Sequence, residues 1–429
     1  MTFKVIETFS GIGAQAKAFE KLQKKKKFDY KVVATVEWEI GASFAYDLIQ
    51  HGAQNLERYL SWSKEELINS LINLNLSSDG KIPMKKSTLT RMNIDQLRAI
   101  KHSIDENHNL VDISSVHAKD LPDADLLTYS FPCQDLSISS YWHGNFSGIS
   151  KGVGNRSGLL WEIERILKEY EHIKKTKPRF LLMENVTAIR SSLNLENFQI
   201  WKEELGNMGY TNADFDIDSS NFGIAQSRVR TFMISVYTED LTKIQKDQIQ
   251  NKLNNTSFEI VKPSPKIDKF LRLDYSNSYY REEAILSTPN FTKSRKQIFE
   301  KSLPLTIAGK PNRNIARTIT TKQDRYPNAG IILPGLNEDG SNAPYRNLTP
   351  RETFLLMGFE EKDFQILIDN NVNVSASRNF LSHSKLLKLA GNSIVVNILE
   401  SIFSTILDLN QEVINKNDKV FSLKHRTLY

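Results

Sequence analysis

The chain has 429 residues, 40% of them hydrophobic and 25% charged, which suits a globular protein of two to three domains with a substantial core. No run of 18 apolar residues predicts a membrane span, and MTFKVIETFSGIGAQ at the start lacks the pattern of a signal peptide. The single cysteine, Cys133, excludes an internal disulfide and a cysteine-built metal site and points to a reducing cytoplasm; the net charge of +6 is mild but uneven, because residues 241–335 hold 17 Lys/Arg against 8 Asp/Glu.

Residues 3–9 (FKVIETF) predict a short strand, followed by SGIG and by AQAKAFEKL at helical spacing. KVVATVEW (31–38) predicts a second strand and IGASFAYDLIQHG a second helix, so the chain opens as a βαβ unit. Phe9-Ser10-Gly11-Ile12-Gly13 sits between strand and helix. Glycines there let a ligand approach the backbone at a helix N-terminus, although the third glycine of a dinucleotide fingerprint is missing and a plain tight strand–helix turn is the commoner reading of such a match. Glu37-Trp38 closes the second strand. In this topology an acid can bind ribose hydroxyls and an indole can stack on adenine. Asp112-Ile113 could hold the adenine edge, or be an ordinary turn.

Residues 53–108 read as a polar, helical insertion, with Ser63 and Glu66 as a capping box. ADLLTYSF (124–131), RFLLMENV (179–186) and RTFMISVY (230–237) predict further apolar strands, and GLLWEIERILKEY (158–170) an amphipathic helix. Apolar strands alternating with helices imply a mostly parallel sheet covered on both faces. Cys133 follows Pro132 at the end of a strand that opens on the ligand crevice, and the Gly/Ser-rich stretch after it has the composition of a lid. A lone cysteine is otherwise a small buried hydrophobe. Glu184-Asn185 ends the next strand, so a carboxyl group and a thiol would stand on neighbouring strands. In Gln226-Ser227-Arg228-Val229-Arg230 the two arginines share one face of an extended segment, suiting a phosphate or a polarised carbonyl. Residues 238–337, rich in Lys, Asn, Ser and Pro, read as a separate small domain, irregular or β-rich. SIVVNILESIFSTILDL predicts the last helix.

Taken in order, FSGIG, EW, DI, SFPCQ, RSGLLWEIER, MENV, QSRVR, RNLTPRETFLLMGF and AGNSIVVN resemble the DNA (cytosine-5) methyltransferases, with catalytic segments most similar to the CpG enzymes of mollicutes. The resemblance covers roughly residues 3–237 and 346–407. It implies an α/β, Rossmann-like S-adenosylmethionine-dependent domain (1–237 and 338–429, with 53–108 inserted) and a target recognition domain (238–337). By resemblance, Cys133 is the nucleophile that adds to C6 of an extruded cytosine, Glu184 pairs with N3 and the 4-amino group, Arg230 faces O2 and Arg228 supports the surroundings. Phe9, Gly11, Gly13, Glu37, Trp38, Asp112, Ile113, Pro132, Leu159 and Asn392 would line the cofactor, Asn392 bringing the last helix beside the first strand. Gln134, Ser139, Gln226 and Thr318 match positions that shape the site or meet DNA. Asn185 likewise matches a site-shaping position. Arg313, Arg317, Lys322 and Arg325 are expected to contact duplex DNA on charge.

The resemblance further implies a prokaryotic, cytoplasmic monomer that modifies DNA in a type II restriction–modification system, with an endonuclease as functional partner and no metal. Three rivals remain. A tRNA cytosine methyltransferase shares the fold but carries a smaller recognition region. A catalytically silent DNA-binding regulator needs none of Cys133, Glu184 and Arg230. A nicotinamide oxidoreductase lacks a reason for the PCQ cysteine.

Overall fold

The computed structural model describes residues 2–132, 156–258, 260 and 265–411. Its centre is a six-stranded sheet built from β1 (Thr2–Thr8), β2 (Asp29–Val36), β3 (Leu126–Tyr129), β4 (Phe180–Val186), β5 (Tyr210–Asp218) and β6 (Val229–Tyr237). The strand order is β2-β1-β3-β4-β6-β5. β1, β2, β3 and β4 pair in parallel, whereas β6 runs antiparallel to both β4 and β5. The chain leaves β1 for β2 on one side and returns to β3 on the other, which makes the carboxyl ends of β1 and β3 a switch point where a crevice opens.

Alternate residues of the apolar strands feed two cores, one on each face of the sheet. Val5, Leu126, Phe180, Leu182, Phe232 and Ile234 pack with α1 (Ala14–Gln23), α2 (Ile40–His51) and the last helix, α14 (Val396–Leu409). Ile6, Leu127, Leu181, Met183 and Met233 pack on the other face with α6 (Leu160–His172) and α7 (Leu195–Asn207). α14 lies along α1, where Phe19 and Phe403 stack with centroids 4.0 Å apart. The last helix, expected beside the first strand, packs on the first helix instead. The apolar run His383–Leu409 is long enough to cross a membrane by composition, but 78% of its most apolar stretch is buried in this core.

Segment 53–108 folds as α3 (Lys64–Leu71), α4 (Lys86–Arg91) and α5 (Ile94–Glu106), and Ser63 and Glu66 form the reciprocal capping box. α5 packs against α2 through core residues Leu97 and Ile100, and α3 packs on α5, burying Leu67. Residues 238–337 contain more helix than their composition predicts: α8 (Lys243–Asn254), α9 (Ser278–Leu286) and α10 (Lys293–Lys301), with two-residue β ladders such as Ile331–Ile332 against Arg346–Asn347. α8 places Ile249 and Leu253 in the core beneath β5, so this helix belongs to the sheet's own packing. Beyond the ladders, α11 (Pro350–Leu356) starts at the Thr349/Glu352 capping box, and Glu352 also takes the fully buried Arg346 at 2.8 Å. α12 (Glu361–Asp369) and α13 (His383–Asn392) complete the described fold.

Candidate active site

The crevice at the switch point is built on the β1–α1 turn. Phe9, Gly11 and Gly13 all have positive φ (55°, 55° and 81°), which bends the chain so that the N–H groups of Phe9 and Ser10 both reach Val36 O, at 2.8 and 3.3 Å. Gly11 N donates to Glu37 Oε2 at 3.0 Å, and Glu39 N donates to Glu37 Oε1 at 2.8 Å. The carboxylate is therefore gripped from both sides by backbone. Burial nevertheless pushes its pKa up to about 7, the two backbone donors pulling the other way. Among the described residues, and apart from its chain neighbours, no atom lies within 4 Å of where a Gly11 side chain would start, so they leave the turn open there. At Gly13 a side chain would meet the ring of Tyr46 at 3.0 Å.

Of the other expected cofactor residues, Trp38, Asp112, Pro132 and Leu159 are half-buried, Ile113 is buried, and Asn392 is exposed at the end of α13. Asn109 is the residue that sequence reasoning missed. Its Oδ1 accepts from Glu37 N at 2.9 Å and its Nδ2 donates to Glu37 O at 2.9 Å, clamping the peptide of the acid from 72 residues away. No local pattern marks it. Glu7, also unremarked in the sequence, is wholly buried in β1 just before the turn, and burial raises its carboxyl to about 8.

A second cluster stands two strands along. The β4–β6 register opposes Val186 to Arg230 and Glu184 to Phe232, which places Glu184 and Arg230 diagonally on one face. Arg230 Nε lies 3.4 Å from Glu184 Oε1, with side chains only 15% and 13% exposed. Burial raises the Glu184 pKa, and Arg230 and Arg228 oppose that rise. Asn185 points to the opposite face, where Nδ2 donates to Phe131 O at 3.1 Å. Ser130 Oγ in turn reaches Phe9 O at 3.3 Å. The strand end that leads through Pro132 into Cys133 is thus tied to both clusters. Cys133, Gln134 and Ser139 themselves lie outside the described residues.

The QSRVR segment divides its labour. Arg228 is buried: Nη1 donates to Ile319 O at 2.8 Å and Nη2 to Gly391 O and Ser393 O at 3.0 and 2.9 Å. It fastens the β6 entry to residues 316–320 and to the end of α13. Gly391 is required at that crossing, since a Cβ there would sit 2.5 Å from Thr320 C. The expectation that Gln226 meets DNA is corrected. Its side chain is fully buried, Nε2 donating to Leu356 O at 2.8 Å and Oε1 accepting from Ile319 N at 2.8 Å, because a buried amide must satisfy both ends.

Residues 316–318 run alongside 225–227: Ser227 N donates to Ala316 O at 2.9 Å, Ala316 N to Ala225 O at 2.8 Å and Thr318 Oγ1 to Ser227 O at 2.9 Å. This seam brings Arg317 next to the start of β6, and Arg313, Arg317, Lys322 and Arg325 are all exposed. A glycine turn with a half-buried acid, an acid–guanidinium pair two strands along and exposed basic residues can hold a nucleoside, polarise a second polar ring and meet a polyanion.

The comparisons agree with that chemistry. The family model of the C-5 cytosine-specific DNA methylases matches residues 85–408. Orphan methyltransferase M.SssI of Spiroplasma monobiae is 34% identical over 424 residues, covering 94% of this chain and 97% of that protein. Type II methyltransferase M2.ScrFI of Lactococcus lactis subsp. cremoris is 30% identical over 403 residues, covering 93% and 98%. The crystal structure of S. pombe Dnmt2 methyltransferase shares the fold with a TM-score of 0.56 at 18% identity, covering 95% of this chain and 99% of that one.

Proposed function

We propose, for a chain that belongs to the C-5 cytosine-specific DNA methylases and so is a cytosine-5 DNA methyltransferase, that it methylates one cytosine within a specific duplex sequence by way of a covalent bond to Cys133. The observation that carries this reading is the Glu184–Arg230 pair at the end of the sheet where Asn185 grips the segment leading into Cys133.

S-adenosylmethionine, when bound, supplies an electrophilic methyl group. The residues fit it: Glu37 offers a half-buried acceptor for ribose hydroxyls, the glycine turn leaves room at Gly11, Trp38, Asp112 and Ile113 are read as the adenine contacts, and Phe9, Gly13, Pro132, Leu159 and Asn392 as the remaining lining. In the reaction the Cys133 sulfur donates an electron pair to C6 of the extruded cytosine, forming an S–C6 bond. The C5=C6 electrons would shift so that C5 becomes nucleophilic and can take the methyl, the pair of the broken S–CH3 bond staying on the donor's sulfur as a neutral thioether. A base, through water, then removes the C5 proton, the C5=C6 bond reforms and the thiolate leaves. Glu184, whose raised pKa favours the protonated acid, donates to N3 and accepts from the 4-amino group, and Arg230 holds O2. Arg228 acts through the backbone it fastens.

Residues 238–337 are read as the target recognition region, presenting Arg313, Arg317, Lys322 and Arg325 to phosphates and Thr318 beside the extruded nucleotide. The type II relative supports a restriction–modification role in the prokaryotic cytoplasm, with an endonuclease as functional partner. Bisulfite sequencing of plasmid from expressing cells identifies the target. Duplexes carrying 5-fluorocytosine at that site should then form a denaturation-resistant adduct with the wild type and none with Cys133→Ala. Methyl incorporation into tRNA but not duplex DNA would overturn the DNA assignment.

A further inference from the structure

Segment 53–108 takes no part in the chemistry above, yet one of its loops reaches the crevice. Asn75 adopts a left-handed φ of 49°, tolerated by asparagine better than by most residues, and its Nδ2 donates to Asp112 Oδ2 at 3.0 Å. Two residues on, Ser77 is fully buried and forms a parallel bridge with Glu39. Its N–H donates to Trp38 O at 2.7 Å and its carbonyl accepts from Ile40 N at 2.9 Å. The loop closes on itself, because Ser77 Oγ accepts from Gly80 N at 3.0 Å and donates to Ile82 O at 2.6 Å. This brings Gly80 close enough that a Cβ there would stand 3.9 Å from the indole Nε1 of Trp38. On its far side Lys385 of α13 bonds Ser78 O at 3.1 Å and Glu39 at 2.9 Å.

We propose that loop 75–80 is a positioning element for the adenosine half of the crevice, in which Asn75 fixes the carboxylate of Asp112 and Ser77 fixes the peptide of Trp38. The inference rests on the reading of Trp38 and Asp112 as adenosine contacts. Asp112 follows Val111, which is itself at a φ of 66°, and Ser114 N holds only its Oδ1, at 3.0 Å. The Asn75 amide occupies the second oxygen and removes the remaining freedom of the side chain. Orientation set before binding is ordering that the ligand need not impose, so affinity depends on a loop that touches none of the reacting atoms.

The test is titration calorimetry on the full chain with S-adenosylhomocysteine and with adenosine alone. Asn75→Gly keeps the left-handed backbone unstrained while deleting the amide, and should weaken both ligands about tenfold, the loss of one hydrogen bond to a charged group. Turnover at saturating donor and KM for DNA should stay within about twofold, since uniform donor binding alone is lost. Asn75→Asp sets two carboxylates against each other and should weaken binding further. The exchange Asn75→Asp with Asp112→Asn restores a donor–acceptor pair and should recover most of the loss. Unchanged adenosine affinity in Asn75→Gly, or an exchange no better than Asn75→Asp, overturns the positioning role. A wild-type chain that binds neither ligand overturns the cofactor reading with it.

Discussion

Glu37 offers a direct test of the proposed ribose contact. Burial places its carboxyl at about 7 in the ligand-free protein, so near neutral pH the group is divided between acid and carboxylate. A pKa raised on folding means that the protonated form is favoured by the fold: that contribution to stability is complete below the ordinary carboxylate value and is lost as pH rises through about 7. Ribose hydroxyls donate to a carboxylate, so binding selects the ionised form and releases a proton. If only that form binds, roughly one molecule in eleven is competent at pH 6 and ten in eleven at pH 8, and the dissociation constant should fall about tenfold between them. Glu37→Gln abolishes this slope. It also weakens binding at pH 8 by about 10- to 100-fold, because a glutamine lacks the charge and can accept only one of the two backbone N–H bonds from Gly11 and Glu39. Calorimetry with S-adenosylhomocysteine from pH 5.5 to 8.5 reads both effects. Any titration of the ligand itself is common to both proteins, so the informative quantity is the ratio of wild-type to variant affinity at each pH. Parallel profiles for the two proteins would refute the assignment of Glu37 to the ribose.

Gln226→Ala should destabilise the fold by about 2–4 kcal/mol, since Leu356 O and Ile319 N are left without a partner in a dry core, measured as a shift in urea midpoint. Reduced DNA affinity at unchanged stability would return Gln226 to the DNA face. Replacing Arg313, Arg317, Lys322 and Arg325 together by alanine should lower the steepness of log K against log salt by about 0.9 for each phosphate that is no longer neutralised. An unaltered slope would move the DNA-binding surface elsewhere.

What the sequence disclosed follows from which interactions are local. The strands in the middle of the sheet are legible because both their faces are buried, so LLTY and FLLMENV read as apolar runs. β5 escaped because it is an edge strand: Ala213, Phe215 and Ile217 alternate with Asn212, Asp214 and Asp216, and most of its residues are only half-buried. The helices of 238–337 escaped because their polar faces outweigh a few buried side chains, α10 having no buried residue at all. At the site, residue types and order pointed to Glu184 and Arg230, but depth did not. Gln226 has the composition of a surface residue and lies in the core, held by partners 93 and 130 residues away. Asn109 and Asn75 are invisible for the same reason, since nothing near them in the chain marks the acids they orient.

The strand order itself explains where a nucleophile must enter. β3 is the one strand paired with both β1 and β4, so its carboxyl end alone borders the glycine turn on one side and Glu184 on the other. Thr8 Oγ1 to Thr128 O at 2.8 Å, Ser130 to Phe9 and Asn185 to Phe131 are cross-links of that seam. From a parallel strand Arg230 could not join them, because the first residues of such a strand lie at the opposite end of the sheet from the crevice. β6 instead begins at the crevice: running antiparallel to β4, it brings its first residues, and the QSRVR segment that leads into them, to the end where the parallel strands finish. The reversal of one strand therefore lets a single edge of the sheet collect Glu37, the segment leading into Cys133, Glu184 and Arg230, each at the end of a different strand.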